Sequence, residues 1–148
     1  KGFEQYEVSA FAKNGNSAKH NINYWQFGDY IGIGAGAHGK VTMPEENRIM
    51  RTSKTRQPDK YLARKASFIA NNSAIANDQI ALEFMMNALR LKQGIPRDYF
   101  AQRTGMDTTH IDKQVAELQK KGLMEYSDQH FVTTQLGYQF LNSVLQDF

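Results

Sequence analysis

His20, Asn21, Tyr24 and Trp25 gather an imidazole, a carboxamide and two amphipathic aromatics into one short stretch of the chain. A neutral imidazole ligates transition metals through a ring nitrogen. Tyr and Trp offer broad apolar faces with a polar tip, the shape needed to lie against a flat ligand. The Asn21 carboxamide can orient the imidazole or bond an anionic group. The same spacing also describes two aromatic core anchors beside two loop residues satisfied by backbone. Taken alone, it favours that plainer account.

Other residues with chemical potential are fewer. Gly32, Gly34 and Gly36 punctuate the apolar run over residues 30–37, and Gly39 follows it. This suits a strand passing into a loop where the backbone approaches something closely. The spacing G-x-G-x-x-G ahead of a helix is missing, so the run is not a dinucleotide fingerprint. Whether the close partner is a ligand or another stretch of backbone stays open. His38 is expected to be a hydrogen-bonded structural histidine, and neither His110 nor His130 is given a role. The methionines, Met85 and Met86 among them, are expected to fill core space. The chain contains no cysteine, which excludes disulfides and any cysteine-ligated metal or cluster within it.

The elements that must position these residues fall into two unlike segments. The order from Phe3 to Phe11 favours a strand, with Tyr6, Val8 and Ala10 on one face. Residues 13–17 have loop chemistry, and residues 43–57 look like an irregular, charged excursion. Pro58 predicts the first turn of a helix running through Tyr61, Leu62 and Phe68. Further on the periodicity is clearer. Asn77 or Asp78 caps a helix whose apolar face includes Ile80, Phe84, Met85 and Leu89, ending at Gly94. A short helix over 97–103 stops at Gly105. Asp107 caps a third, with Ile111, Val115 and Leu118 as its buried stripe, and Gly122 closes it. A hairpin over 123–133 and a last helix over 134–147, burying Leu136, Phe140, Leu141, Val144 and Leu145, complete the order.

Composition bounds the answer. At 148 residues, with 41% hydrophobic and 11% aromatic side chains, the chain can bury a core of one domain, or of a small domain and part of another. The longest apolar runs fall far short of the roughly 20 residues of a membrane helix, so no transmembrane segment is expected. Lys1 in place of an initiator Met leads us to expect a piece of a longer protein. Residues 1–65 carry eleven Lys/Arg against six Asp/Glu, and residues 66–148 carry seven against nine. The surplus is densest between Arg48 and Lys65. It reads first as a solvated face, while leaving an anionic partner open.

Helix, short helix, helix, hairpin, helix is the order of a winged-helix domain, which raises DNA binding. Residues 97–121, where a recognition helix would lie, hold five basic and four acidic side chains. A duplex reader needs a basic footprint, because neutralising phosphates supplies most of the affinity. A packing role is therefore expected and nucleic acid is not an expected partner.

The run Tyr6-Glu7-Val8-Ser9-Ala10-Phe11-Ala12-Lys13, the element His20-Asn21-Ile22-Asn23-Tyr24-Trp25 and the run Gly28-Asp29-Tyr30-Ile31-Gly32-Ile33-Gly34-Ala35-Gly36-Ala37-His38-Gly39 together resemble the HemW family. The likeness continues through Phe84-Met85-Met86-Asn87-Ala88-Leu89-Arg90-Leu91, Lys121-Gly122-Leu123, Thr134 and Phe140-Leu141-Asn142, and so covers nearly the whole chain. HemW proteins are heme chaperones similar to the oxygen-independent coproporphyrinogen III oxidases. Asn14 stands where relatives commonly have Pro, and Gly39 where many have Ser.

The resemblance implies an α+β chain holding the terminal strands of a radical-SAM partial (β/α) barrel, followed by a winged-helix-like C-terminal domain. Residues 1–57 would end the barrel and connect it, 58–76 would form a linking helix, and 77–148 the C-terminal domain. It implies heme or porphyrin as ligand, His20 as a heme-iron ligand, and Asn21, Tyr24 and Trp25 as heme contacts. The barrel analogy would bring the glycine run close to S-adenosyl-L-methionine or substrate. The 4Fe–4S cluster and S-adenosyl-L-methionine would belong to the parent, because cluster iron needs thiolates that this chain lacks. A heme-acceptor protein and a cytoplasmic location are expected. Exposed strand edges make a homodimer an expectation as well. The alternative from the same resemblance is the substrate-capping part of a coproporphyrinogen III oxidase.

Overall fold

The computed structural model describes residues 1–148. The chain forms two compact units, one made of Lys1–Phe27 with Asp78–Phe148, the other of Gly28–Asn77.

The first unit begins with a hairpin of β1 (Phe3–Glu7) and β2 (Ala10–Lys13), which pairs Phe3 with Lys13 and Glu7 with Ala10. The single extended segment expected from Phe3 to Phe11 is therefore folded back on itself. The Ser9 amide and hydroxyl both donate to Glu7 Oε1, at 2.9 and 2.8 Å, and close the turn. Side chain–backbone turns of this kind leave no mark on strand propensity. Next comes α1 (Lys19–Trp25), a helix where core anchors and loop residues were the plain expectation.

The rest of this unit contains α3 (Asn77–Ala88), which follows the second unit's helix, then β6 (Ile95–Pro96), α4 (Asp98–Thr104), α5 (Thr109–Lys120), β7 (His130–Phe131), α6 (Gln135–Gln139) and α7 (Leu141–Leu145). The α5 stripe of Ile111, Val115 and Leu118 is buried, as its spacing predicts. Gly105 and Gly122 take φ of +72° and +70° after α4 and α5, conformations costly for a residue with a Cβ. The core centres on Phe84, whose ring meets Phe27 and Phe100 edge-on at 5.6 and 5.1 Å between centroids.

Three expectations for this unit are corrected. The hairpin over 123–133 is shorter than expected: its arms meet at the bridge of Met124 to Thr133, where the Glu125 amide donates to the Val132 carbonyl at 3.0 Å and the Thr134 amide to the Leu123 carbonyl at 3.1 Å, and His130–Phe131 pairs with Ile95–Pro96. The last helix breaks at Phe140, with φ −110° and ψ 39°. Its first half packs through Gly137, where a Cβ would lie 1.9 Å from the Leu123 carbonyl oxygen. With that narrow face inward, Leu136 and Phe140 stay 49% and 57% exposed, and Val144 is the buried residue. Met85 is in the core, whereas Met86 is about half exposed.

The second unit is built on an antiparallel sheet, β3 (His38–Met43), β4 (Arg48–Lys54) and β5 (Ile69–Ala74), in that order. A turn of 3-10 helix at Pro44–Glu46 and Asn47 at φ +48° join β3 to β4. The charged stretch expected to be irregular thus supplies a central strand. Its sequence hides this, because Ile49 is its one fully buried residue. The helix starting at Pro58, α2, ends at Leu62. Phe68 lies beyond it, before β5, in which every residue is exposed. The glycine run is not a strand: Tyr30 makes a single bridge to Lys40 and a loop follows.

Candidate functional site

Successive residues of α1 point in different directions, and residues four apart share a face. His20 and Tyr24 form one such pair, exposed and T-shaped, with ring centroids 6.2 Å apart at 80°. The His20 ring makes no hydrogen bond. Asn21 and Trp25 form the other pair and turn toward the protein. Asn21 Nδ2 donates to the Tyr6 hydroxyl at 3.1 Å. The Arg90 guanidinium carbon lies 4.4 Å from the centroid of the Trp25 ring. Trp25 Nε1 is buried without a hydrogen-bond partner. The structure therefore divides the four residues into an outward pair and an inward pair.

Behind the inward pair lies a network that the sequence did not suggest as a site. Glu7 at the end of β1 is 2% exposed. Arg90, just past α3, donates to Glu7 Oε2 from Nε at 3.2 Å and from Nη2 at 3.0 Å. The same Nη2 reaches Ser9 Oγ at 3.2 Å. The Tyr138 hydroxyl of α6 donates to the Arg90 carbonyl at 3.1 Å. Burial pushes the Glu7 pKa up, but the bonds from Ser9 and Arg90 outweigh it and hold the carboxyl below its usual range. Burial, helped by the Glu7 charge and opposed by Arg90, raises the Tyr138 phenol. One signal was available: Arg90 is a charged residue set between Leu89 and Leu91, both buried.

In the second unit the glycines serve packing. A Cβ on Gly32 would lie 2.0 Å from the His38 carbonyl oxygen, and one on Gly39 2.7 Å from Thr52 Oγ1. Gly34 and Gly36, at φ +101° and +71°, shape the loop instead. Ahead of the run, Asp29 accepts from Lys40 Nζ at 2.8 Å, from the Thr42 amide at 2.8 Å and from the Thr42 hydroxyl at 2.9 Å. Burial opposes ionisation of Asp29, yet these donors together lower its pKa. His38 is exposed and its ring makes no hydrogen bond, contrary to expectation. His110 Nδ1 lies 2.9 Å from the Asp107 carbonyl oxygen, and His130 is exposed on β7. No group of three or more His, Asp or Glu side chains is placed to hold a metal ion. No helix is long and apolar enough to cross a membrane.

The chain is similar to known proteins at two levels. Residues 75–140 match the HemN C-terminal domain family. The chain also superposes on the coproporphyrinogen III oxidase HemN of Escherichia coli, described as a radical SAM enzyme, with a TM-score of 0.61 at 11% identity, covering 99% of this chain and 37% of that one. That match shows the fold, a mixed α/β architecture with small sheets. The first level is thus a likeness of residues 75–140 to the HemN C-terminal domain.

More particularly, the chain is similar in sequence to HemW proteins. It is 42% identical to the heme chaperone HemW of Escherichia coli over 147 residues and 38% identical to that of Haemophilus influenzae over 148 residues, in both cases across 99% of its own length. It is 31% identical over 153 residues to the bovine mitochondrial radical S-adenosyl methionine domain-containing protein 1, covering 97% of this chain and 35% of that protein. The chain spans 38% of the length of the two bacterial HemW proteins.

Proposed function

We propose that the chain is the C-terminal part of a HemW-like radical-SAM protein that binds heme and delivers it to acceptor proteins. The observation that carries this is the outward pair of α1. His20 offers an exposed imidazole without a hydrogen bond, flanked by the Tyr24 ring, on a HemW-like chain. No protein cluster supplies further ligands beside it. An iron that brings its own four nitrogens needs only an axial donor, and imidazole is a usual one.

The residues fit heme unequally. His20 is the proposed iron ligand and Tyr24 the proposed flank of the porphyrin. Arg90 already covers one face of Trp25, and one Asn21 donor is engaged by Tyr6. Asn21 and Trp25 are therefore proposed contacts only at their remaining edges, with a main part in holding the helix. The residues do not fit a 4Fe–4S cluster, since the chain has no cysteine thiolate. Cluster and S-adenosyl-L-methionine are assigned to the parent's remaining length.

The finer architecture belongs to the same proposal. Residues 1–57 would close a radical-SAM barrel, 58–76 would link, and 77–148 would form a winged-helix-like domain, supported by the order α3, β6, α4, α5, β7, α6. A cytoplasmic location, a heme-acceptor protein and a homodimer complete it. The test is heme titration of the full-length protein and its His20→Ala variant, followed in the Soret band. Weaker binding and a shifted band are expected for the variant. Identical titrations would remove His20 as ligand, and turnover of coproporphyrinogen by the full-length protein would favour the oxidase alternative.

A further inference from the structure

α1 is a poor helix by its own means. It has seven residues, no side-chain N-cap bond and no fully buried residue. Isolated helices of this length are unstable in water, so its position must be imposed by tertiary contacts. Phe27, 1% exposed and packed on Phe84, pins the chain just beyond its C-terminal end. An anchor at one end leaves the helix free to rotate about it. Among the contacts that set the rotation are those of the inward face, Asn21 to Tyr6 and Trp25 to Arg90.

The stronger of these rests on a preorganised cation. Arg90 is held by Glu7 Oε2 and Ser9 Oγ, and Glu7 is in turn held by the Ser9 amide and hydroxyl. A guanidinium fixed in this way is held with its carbon over the indole, and a lysine ammonium, a point charge on a flexible stem, cannot keep the same set of bonds. Three separated stretches singled out in the sequence, those containing Glu7, Trp25 and Arg90, are thereby brought to one place.

We propose that the Glu7–Arg90 pair is a positioning device for α1: by clamping Trp25 it sets the rotation at which His20 and Tyr24 face outward to receive ligand. This deepens the heme reading of His20 and rests on it. Arg90 and Glu7 touch no ligand and act through Trp25.

Two measurements on the full-length protein test the device separately. Hydrogen exchange of the α1 amides reads the clamp without any ligand. Arg90→Lys and Glu7→Gln should each speed exchange over residues 22–27 about tenfold, with α5 amides unchanged. Heme titration then reads the consequence. Arg90→Lys should weaken binding about fivefold to tenfold and shift the Soret band, and this loss should vanish in a His20→Ala background, because both act through one imidazole. A merely structural role would give the same factor in both backgrounds and overturn the proposal. Unchanged α1 exchange in both variants would overturn it too. If Arg90→Lys does not fold, Ser9→Ala, which loosens the clamp and keeps both charges, carries the same two measurements. If His20→Ala alone leaves heme binding intact, the heme reading falls, and the clamp stands or falls on exchange.

Discussion

Glu7 and Arg90 are 83 positions apart in the chain and meet at 3.0 Å, the carboxylate buried and the guanidinium partly exposed. The pair ties the first hairpin to the second residue beyond helix α3. Because the Glu7 pKa is depressed in the folded protein, its contribution to stability is complete above the usual carboxylate range. That contribution is lost as pH falls through the lower folded value.

Glu7→Gln is accordingly expected to cost about 1–3 kcal/mol at neutral pH, measured by urea unfolding. As the buffer is made more acidic the native protein should lose stability while the variant's curve stays flatter, so the gap closes. A gap that stays constant from neutral to acid pH would contradict the ionised pair.

Phe84 is fully buried between Phe27 and Phe100. Truncation to Ala removes both edge-on ring contacts and leaves a cavity. Phe84→Ala should lower unfolding free energy by roughly 3–5 kcal/mol. Met86, two positions on and half exposed, should tolerate Ala with about 0.5 kcal/mol or less. Similar losses at the two positions would refute the core assignment.

The glycines of the second unit should separate in the same way. Gly32→Ala drives a Cβ into the His38 carbonyl and is expected to cost about 3 kcal/mol. Gly34→Ala meets no atom and incurs only the strain of its positive φ, about 1 kcal/mol. Thermal melts with limited proteolysis across residues 30–40 would rank them, and the reverse order would count against the packing role.

Legibility in the sequence followed how local each feature is. The α5 stripe and its closing glycine were readable because Ile111, Val115 and Leu118 repeat at helical spacing within one element. β5 was not, since Ile69–Ala74 is exposed along its whole length and owes its conformation to pairing with β4. α1 was missed for a related reason: without a cap or apolar stripe, its helix exists through Tyr6, Arg90 and Phe27. The candidate residues His20, Asn21, Tyr24 and Trp25 could be named from their types. Their division into outward and inward pairs needed the helix. The Glu7–Arg90 contact lay beyond reach, because nothing within either local stretch points to the other.

The first unit is interrupted: the chain leaves it after Phe27 and returns at Asp78. A ribosome releasing this chain from its N-terminal end therefore delivers the β1–β2 hairpin and α1 long before the residues that hold them. Closing so large a loop costs entropy that only the later core contacts repay. During synthesis, Phe27, Trp25 and the Glu7 carboxylate must wait in water while the second unit's sheet, local in sequence, can already pair. Helix α1 would thus be among the last parts to acquire its shape, and a nascent chain stalled before α3 would expose it unformed.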